Sequence, residues 1–305
     1  MSEIPRGVWA ASLTPMDEHL NIDTDIYIRH IRNLLAQGCN GIALFGTTGE
    51  ANSFSVSEKI MVLASVIKAG IDPTRLMVGT GCCAVSDTIL FTQKAIDLGF
   101  TNFLVLPPFY YKGVSAQGIF NSYAQLIAAL PQTGVNIIIY DIPQMSGVEI
   151  SLELLQRLRE AFPNIVKGVK NSTGNWAAIK ATCETMPEFA VFAGTEQYLL
   201  PTLQAGGAGC ISATANVTSQ KLGEIYARYK TQDAENLQSI ATKTRLILQQ
   251  YPPAPALKQI MAQTSGRKNW VNIRPPLVNL SADATQNMLR TIDASGLALN
   301  EHLSL

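Results

Sequence analysis

At 305 residues, with 23 basic and 23 acidic side chains, the chain is long enough for one large α/β barrel or two ordinary domains. It lacks the basic clusters that nucleic acid or an anionic membrane would require, so the expected partner is a small molecule. Five cysteines (Cys39, Cys82, Cys83, Cys183 and Cys210) are odd in number and without C-x-x-C spacing, which argues against a disulfide framework or a zinc site and reads as reduced thiols. There is no basic-then-apolar leader and no apolar run near the roughly 18 residues of a membrane span, so a soluble cytoplasmic protein is expected.

From Gly7 onward short apolar runs alternate with longer helical patterns, as in βα units feeding a parallel sheet. The runs fall at residues 7–11, 41–45, 76–80, 103–106, 135–140, 165–170, 189–192 and 209–212. Between the first two, Ile26, Ile31, Leu34 and Leu35 form a helical stripe that stops at Gly38, and Ser55 with Glu58 predicts a capping box ahead of the next helix. Eight such units in roughly 215 residues match a (β/α)8 TIM barrel, with a doubly wound open sheet as the second choice. After Ala213 the strands stop. Leu222, Ile225, Tyr226, Leu237, Ile240 and Ile247 give long helical patterns, Pro252-Pro253 interrupts them, and further helices are expected over 254–263 and 282–292. The organisation expected is a barrel over 1–214 and a C-terminal α-helical region over 215–305 packed on it.

In such a barrel the chemistry gathers where the strands end. The run Ile165-Val-Lys-Gly-Val-Lys170 delivers Lys170 to a polar loop closed by Gly174. A lysine backed by an apolar strand can shed hydration, favouring the neutral amine that attacks a carbonyl. The bland alternative is a lysine snorkelling to solvent from a strand end. Gly46-Thr47-Thr48-Gly49-Glu50 could aim backbone N–H groups and two hydroxyls at a small anion, or be a plain turn; it lacks the lysine of a phosphate loop. Tyr140 closes the Ile137-Ile138-Ile139 run beside the Lys170 strand, placed either to relay a proton or simply to pack. Tyr110 and Tyr111 read first as packing residues. His19, His30 and His302 lie away from the strand ends, which disfavours a histidine base, and no cluster has metal-ligand spacing.

Taken in order, Gly46-Thr-Thr-Gly-Glu50, Tyr140-x-Ile-Pro143, Gly168-Val-Lys170 and Gly207-Ala-Gly-Cys-Ile-Ser212 resemble the dihydrodipicolinate synthase / N-acetylneuraminate lyase family across essentially the whole chain. The resemblance implies a class I, Schiff-base aldolase or lyase, usually a homotetramer built as a dimer of dimers, acting on pyruvate and an aldehyde without metal or organic cofactor. By the same resemblance Lys170 forms the imine and Tyr140 moves protons. Thr47 and Thr48 beside Gly46 hold the pyruvyl carboxylate, and Ile211 offers a backbone contact near the imine. Tyr111 reaches a neighbouring subunit's site to join Thr47 and Tyr140 in a hydroxyl relay. Ser172 and Gly194 line the substrate site, and Glu196 with Gln197 matches a polar pair that meets sugar hydroxyls in the lyases.

Two departures narrow the substrate. The synthase branch carries an arginine two residues after its Tyr-Asn-x-Pro motif, and here that position is Met145, which cannot make a bidentate carboxylate contact. The usual asparagine of that motif is Asp141, while Ser146-Gly147 resembles the ending found in the sugar-acid lyases. The expected substrate is a 2-keto-3-deoxy sugar acid or similar hydroxylated 2-oxo acid. The alternatives are 4-hydroxy-tetrahydrodipicolinate synthase chemistry with aspartate semialdehyde, a more compact or aromatic aldehyde suited to Pro107-Pro108-Phe109, and a non-catalytic barrel that binds or assembles.

Overall fold

The computed structural model describes residues 3–296 and 299–300; His302 and the rest of 301–305 lie outside them. Eight parallel strands form one closed barrel in chain order, with the eighth beside the first. They are β1 (Gly7–Ala11), β2 (Gly41–Leu44), β3 (Leu76–Gly79), β4 (Asn102–Val105), β5 (Asn136–Asp141), β6 (Val166–Asn171), β7 (Ala190–Ala193) and β8 (Gly209–Ser212). The period-2 alternation of a strand sorts the side chains. Trp9, Met77, Leu104, Ile138, Phe192 and Ile211 fill the lumen. Val8, Ile42, Val78, Phe103, Ile139, Val169 and Val191 face outward into the layer shared with the helices.

The strands sit within a residue or so of the apolar runs, and the shifts have a cause. At β5 and β6 the ladder runs one residue past the hydrophobic segment because Asp141 pairs with Asn171 in register. Hydrophobicity marks what is buried, whereas backbone pairing continues until a turn breaks it.

The helices are α1 (Thr24–Ala36), α2 (Val56–Lys68), α3 (Val85–Asp97), α4 (Ala116–Ala128), the short α5 (Pro143–Ser146), α6 (Leu152–Ala161), α7 (Trp176–Thr185), α8 (Leu199–Gln204), α9 (Ala215–Arg228), α10 (Ala234–Leu248), α11 (Pro253–Ser265) and α12 (Ala282–Ala294). Capping begins many of them. Asp23 accepts from the Ile26 N–H at 3.0 Å, and Ser55 with Glu58 forms the reciprocal capping box. None of the described helices is long and apolar enough to cross a membrane.

Helix α9 completes the eighth βα unit and opens the C-terminal region. Its Asn216 side chain donates to Ala11 O at 2.8 Å and accepts from Leu13 N at 3.0 Å, pinning the helix to the end of β1. Leu13, Val217, Leu257, Ile260, Met261, Trp270 and Met288 then make a separate apolar cluster. This cluster lies on the strand-end side of the barrel, so helices α10 and α11 are brought to the rim where the polar loops emerge.

Candidate active site

Lys170 is the last lumen-facing residue of β6 and only 4% exposed. It stands in register with Tyr140 on β5 and Phe192 on β7. Its Nζ lies 4.2 Å from the centre of the Tyr140 ring. The Tyr140 hydroxyl in turn shares a hydrogen bond of 3.3 Å with Thr47 Oγ1. One amine, one phenol and one hydroxyl, contributed by three separate elements, are thus brought into contact at the floor of the mouth. The amine packs on the face of the phenol, and the phenol hydroxyl is hydrogen-bonded to a hydroxyl exposed to the cleft, so Tyr140 is placed to exchange protons with Thr47 beside the amine.

Thr47 belongs to a loop held in an unusual backbone conformation. Phe45 and Glu50 adopt left-handed φ values of 55° and 56°, uncommon for side-chain-bearing residues and sustained only where the surroundings over-determine them. Within the loop Gly49 N and Ala51 N both donate to Gly46 O, and Glu50 N to Thr47 O at 3.1 Å. Gly49 cannot be replaced without movement, since a Cβ there would sit 2.7 Å from Ser12 O.

The clamp on this loop comes from the C-terminal region. Glu50 and Lys258 of α11 form an ion pair with neither side chain exposed. Glu50 Oε2 also accepts from the backbone N–H of Arg274 at 3.1 Å, and Lys258 Nζ donates to Asn272 O at 2.7 Å. Burial pushes the Lys258 amine below its ordinary value while Glu50 pulls it back up. Glu50 therefore does not face the cleft but anchors the loop that does. The signal in the sequence is a lysine inside the apolar run Ala256-Leu-Lys-Gln-Ile-Met261, a pattern that calls for a buried acidic partner.

Above Lys170 opens a cleft of about 430 Å³. Thr47, Thr48, Tyr140, Lys170, Ser172 and Gly194 all line it. Gly194 allows a close approach, because a Cβ there would fall 2.1 Å from Ser172 Oγ. Gly46 lies in the loop itself rather than on the wall, and Ile211 is fully buried in the lumen. The rest of the wall is mainly amides, hydroxyls and prolines: Gln144, Thr173, Gln197, Gln249, Pro252 and Pro253. Met145 is on it and 62% exposed, so the position where an arginine is expected in a synthase faces the cleft as an uncharged thioether.

One of the expected site residues sits differently. Glu196 does not line the cleft: it is 1% exposed and turned beneath the loop, where Ser212 donates to it at 2.5 Å and Thr214 also donates. A buried carboxylate needs such donors, and the neighbouring Gln197 takes the wall position instead. Ser146 is also buried and shapes its own turn, its hydroxyl lying 3.1 Å from Ile142 O and 3.1 Å from the Val148 N–H that donates to it. Tyr111 stands away from this chain's cleft, 73% exposed and edge-on to the equally exposed Tyr110 at 5.3 Å.

Asp141 now has a physical reading. As the next residue after lumen-facing Tyr140 it points outward, is 2% exposed, and accepts from Asn171 Nδ2 at 3.4 Å. Burial raises its carboxyl to about 7, the Ile150 N–H pulling the other way and Glu149 adding to the rise. An acid whose folded value is raised contributes stability that is complete below its unfolded value near 3.8 and is lost as pH climbs through about 7. Asp141→Asn is therefore expected to stabilise the protein by roughly 2–4 kcal/mol at pH 8 and much less at pH 4. Urea titrations of both proteins at the two pH values read this difference, and equal shifts at both would contradict it.

A closed (β/α)8 barrel with a buried lysine at the end of the sixth strand and a phenol beside it defines the lysine-dependent aldolase class. The match to known proteins fits that class: residues 4–295 match the model of the dihydrodipicolinate synthetase family, and the chain belongs to that family of lysine Schiff-base lyases and aldolases. It is 32% identical to a DapA-like lyase of Chloroflexus aurantiacus over 91% of this chain and 92% of that protein. The crystal structure of dihydrodipicolinate synthase from Agrobacterium tumefaciens superimposes with a TM-score of 0.87 at 32% identity, covering 94% of this chain and 98% of that one. A third, the chloride-inhibited dihydrodipicolinate synthase from Acinetobacter baumannii complexed with pyruvate, matches with a TM-score of 0.86 at 26% identity, covering 97% of this chain and all of that one, 100%.

Proposed function

We propose that this protein joins pyruvate to an aldehyde, or cleaves the corresponding product, through an imine on Lys170, and that its substrate is a 2-keto-3-deoxy sugar acid or similar hydroxylated 2-oxo acid. The observation that carries the reading is the contact chain from Lys170 Nζ over the Tyr140 ring to the Thr47 hydroxyl. The pyruvate held by the related Acinetobacter synthase supports the choice of oxo acid.

In this mechanism the neutral amine of Lys170 attacks the C2 carbonyl of pyruvate. The carbinolamine loses water, and the protonated imine acts as an electron sink. Loss of a C3 proton gives the enamine, which attacks the aldehyde carbon to form the C3–C4 bond while the aldehyde oxygen takes up a proton. Cleavage runs the same steps backward, and water releases the product from the lysine. Tyr140 shuttles these protons through Thr47. Thr48 and the loop from Gly46 hold the pyruvyl carboxylate, so that the reacting carbons are oriented before the bond forms. Ile211 gives its backbone contact near the imine, with Ser172 and Gly194 shaping the wall beyond it. Tyr111 completes the relay in the site of a neighbouring copy within a homotetramer, which suits its exposure beside Tyr110 and Val114.

The hydroxylated substrate is supported by the wall. Gln144, Gln197, Gln249 and Thr173 present neutral donors and acceptors suited to a polyol, and Met145 withholds the charge that a synthase places there. The second reading, condensation with aspartate semialdehyde, is favoured by relatives such as the 4-hydroxy-tetrahydrodipicolinate synthase of Listeria innocua, 31% identical over 90% of this chain and 94% of that protein.

Borohydride reduction with pyruvate, followed by peptide mass analysis, tests the proposal. A reduced pyruvyl adduct on Lys170 is expected, and folded protein without one removes the imine. Turnover of 2-keto-3-deoxy acids against aspartate semialdehyde plus pyruvate chooses between the two readings. Tyr140→Phe is expected to slow both trapping and C–C cleavage by about 10²-fold, and an unchanged rate in stopped-flow imine formation would leave Tyr140 as a packing residue.

A further inference from the structure

Besides Lys170 the cleft contains one more basic side chain, Arg245, among the described residues, which the chemistry of the pyruvyl unit does not use. Arg245 of α10 lines the wall, and with Lys170 and Tyr140 it makes up the titratable residues found there among those described. Its helix is fixed to the rim by Gln238, whose amide donates to Glu196 O at 2.9 Å and accepts from Leu200 N at 2.9 Å. The Arg245 side chain is 19% exposed, so it is largely removed from water yet open to the cleft.

The acid nearest it among the described residues, Glu196, does not saturate it. Arg245 Nη1 stands 3.9 Å from Glu196 Oε2, and that carboxylate already receives the hydroxyls of Ser212 and Thr214. Arg245 Nε is buried with no hydrogen-bond acceptor. Glu196 thus orients a planar fork of five donors without occupying it. Because Nε is enclosed, the part of the fork that meets the cleft is its terminal Nη groups, and the one facing Glu196 is held only at 3.9 Å.

We propose that Arg245 is a specificity-determining residue that receives a carboxylate at the end of the substrate remote from the pyruvyl unit. This rests on the aldolase reading above and sharpens it. The substrate is a hydroxylated 2-oxo acid with a carboxylate at each end, and the fragment that joins pyruvate is a carboxylate-bearing aldehyde. A guanidinium binds a carboxylate through two parallel hydrogen bonds. A carboxylate fits better than a phosphate because one arginine matches one negative charge, and the neighbouring wall residues Gln197 and Gln249 are neutral. The charge thus comes from the C-terminal helices rather than from the short helix α5 after β5, where Met145 stands.

The test is aldol addition of pyruvate to a matched set of aldehydes: tartronate semialdehyde, which ends in a carboxylate, glyceraldehyde, which ends in a hydroxymethyl group, and glyceraldehyde 3-phosphate. Wild-type protein is expected to prefer tartronate semialdehyde over glyceraldehyde by at least about tenfold in kcat/KM. Arg245→Gln should bring the two aldehydes level, and Arg245→Lys should restore part of the preference. Wild-type preference for glyceraldehyde, or for its phosphate over the carboxylate, overturns the proposal, as does a preference that Arg245→Gln leaves intact. Borohydride trapping with pyruvate alone in wild-type protein separates this from the imine: a Lys170 adduct with no carboxylate preference sinks the role of Arg245 alone. Absence of the adduct sinks the aldolase reading itself.

Discussion

Replacing Lys170 by alanine is expected to lower turnover by on the order of 10⁴-fold or more, since residues that act as one covalent unit lose nearly everything when the nucleophile goes. The same variant should give no borohydride adduct with pyruvate. The protein should nevertheless stay folded. Lys170 is buried at the mouth of the barrel, not in its outer core, and its amine opens on the cleft, so its removal leaves space that water can enter. Circular dichroism and the denaturation midpoint should therefore match the wild type closely. Retained cleavage in folded Lys170→Ala protein would end the imine mechanism, whatever the family relationship. A pyruvyl adduct on another lysine would move the nucleophile and with it the assignment of Tyr140.

Lys258→Met is expected to destabilise the protein by about 3–5 kcal/mol, because it strands the Glu50 carboxylate without a counter-charge in the interior. The partners involved are unusually committed: neither side chain is exposed, and the lysine also donates to Asn272 O at 2.7 Å. The damage should reach the site as well. Glu50 ends the loop that carries Thr47 and Thr48, so the KM for pyruvate should rise when its anchor is removed. Pairing the substitution with Glu50→Gln removes the stranded charge and should recover part of the lost stability, a non-additivity that a double-mutant cycle measures. Urea denaturation of the two single variants and the double variant decides it. Additive losses would mean that the two residues act independently.

Much of this molecule was legible in the sequence for a simple reason. Parallel strands buried on both faces leave continuous apolar runs, and the helices between them carry caps such as Ser55 with Glu58. A repeat of that kind survives without any knowledge of packing. Lys170 and Tyr140 were legible because each closes an apolar run, which puts it at the end of a strand.

Glu196 and Arg245 were not legible in that way. Nothing local distinguishes an acid that faces a cleft from one folded under a loop. The difference is made by the hydroxyls of Ser212 and Thr214, which lie 16 and 18 residues further along the chain. Likewise Arg245 sits on an ordinary amphipathic helix, and only the attachment of that helix through Gln238 to the β7 loop, 42 residues away, turns it toward the cleft.

By itself the sequence determined the barrel, the strand-end position of the lysine and the family, because these depend on periodicity and on motifs read along one dimension. The tertiary structure alone decided which charges meet. Glu50 with Lys258, Glu196 with Ser212 and Thr214, and Arg245 on the cleft wall are long-range encounters. Burial makes such pairings compulsory, since a charge removed from water must find a partner, but it does not announce in the sequence which partner that will be.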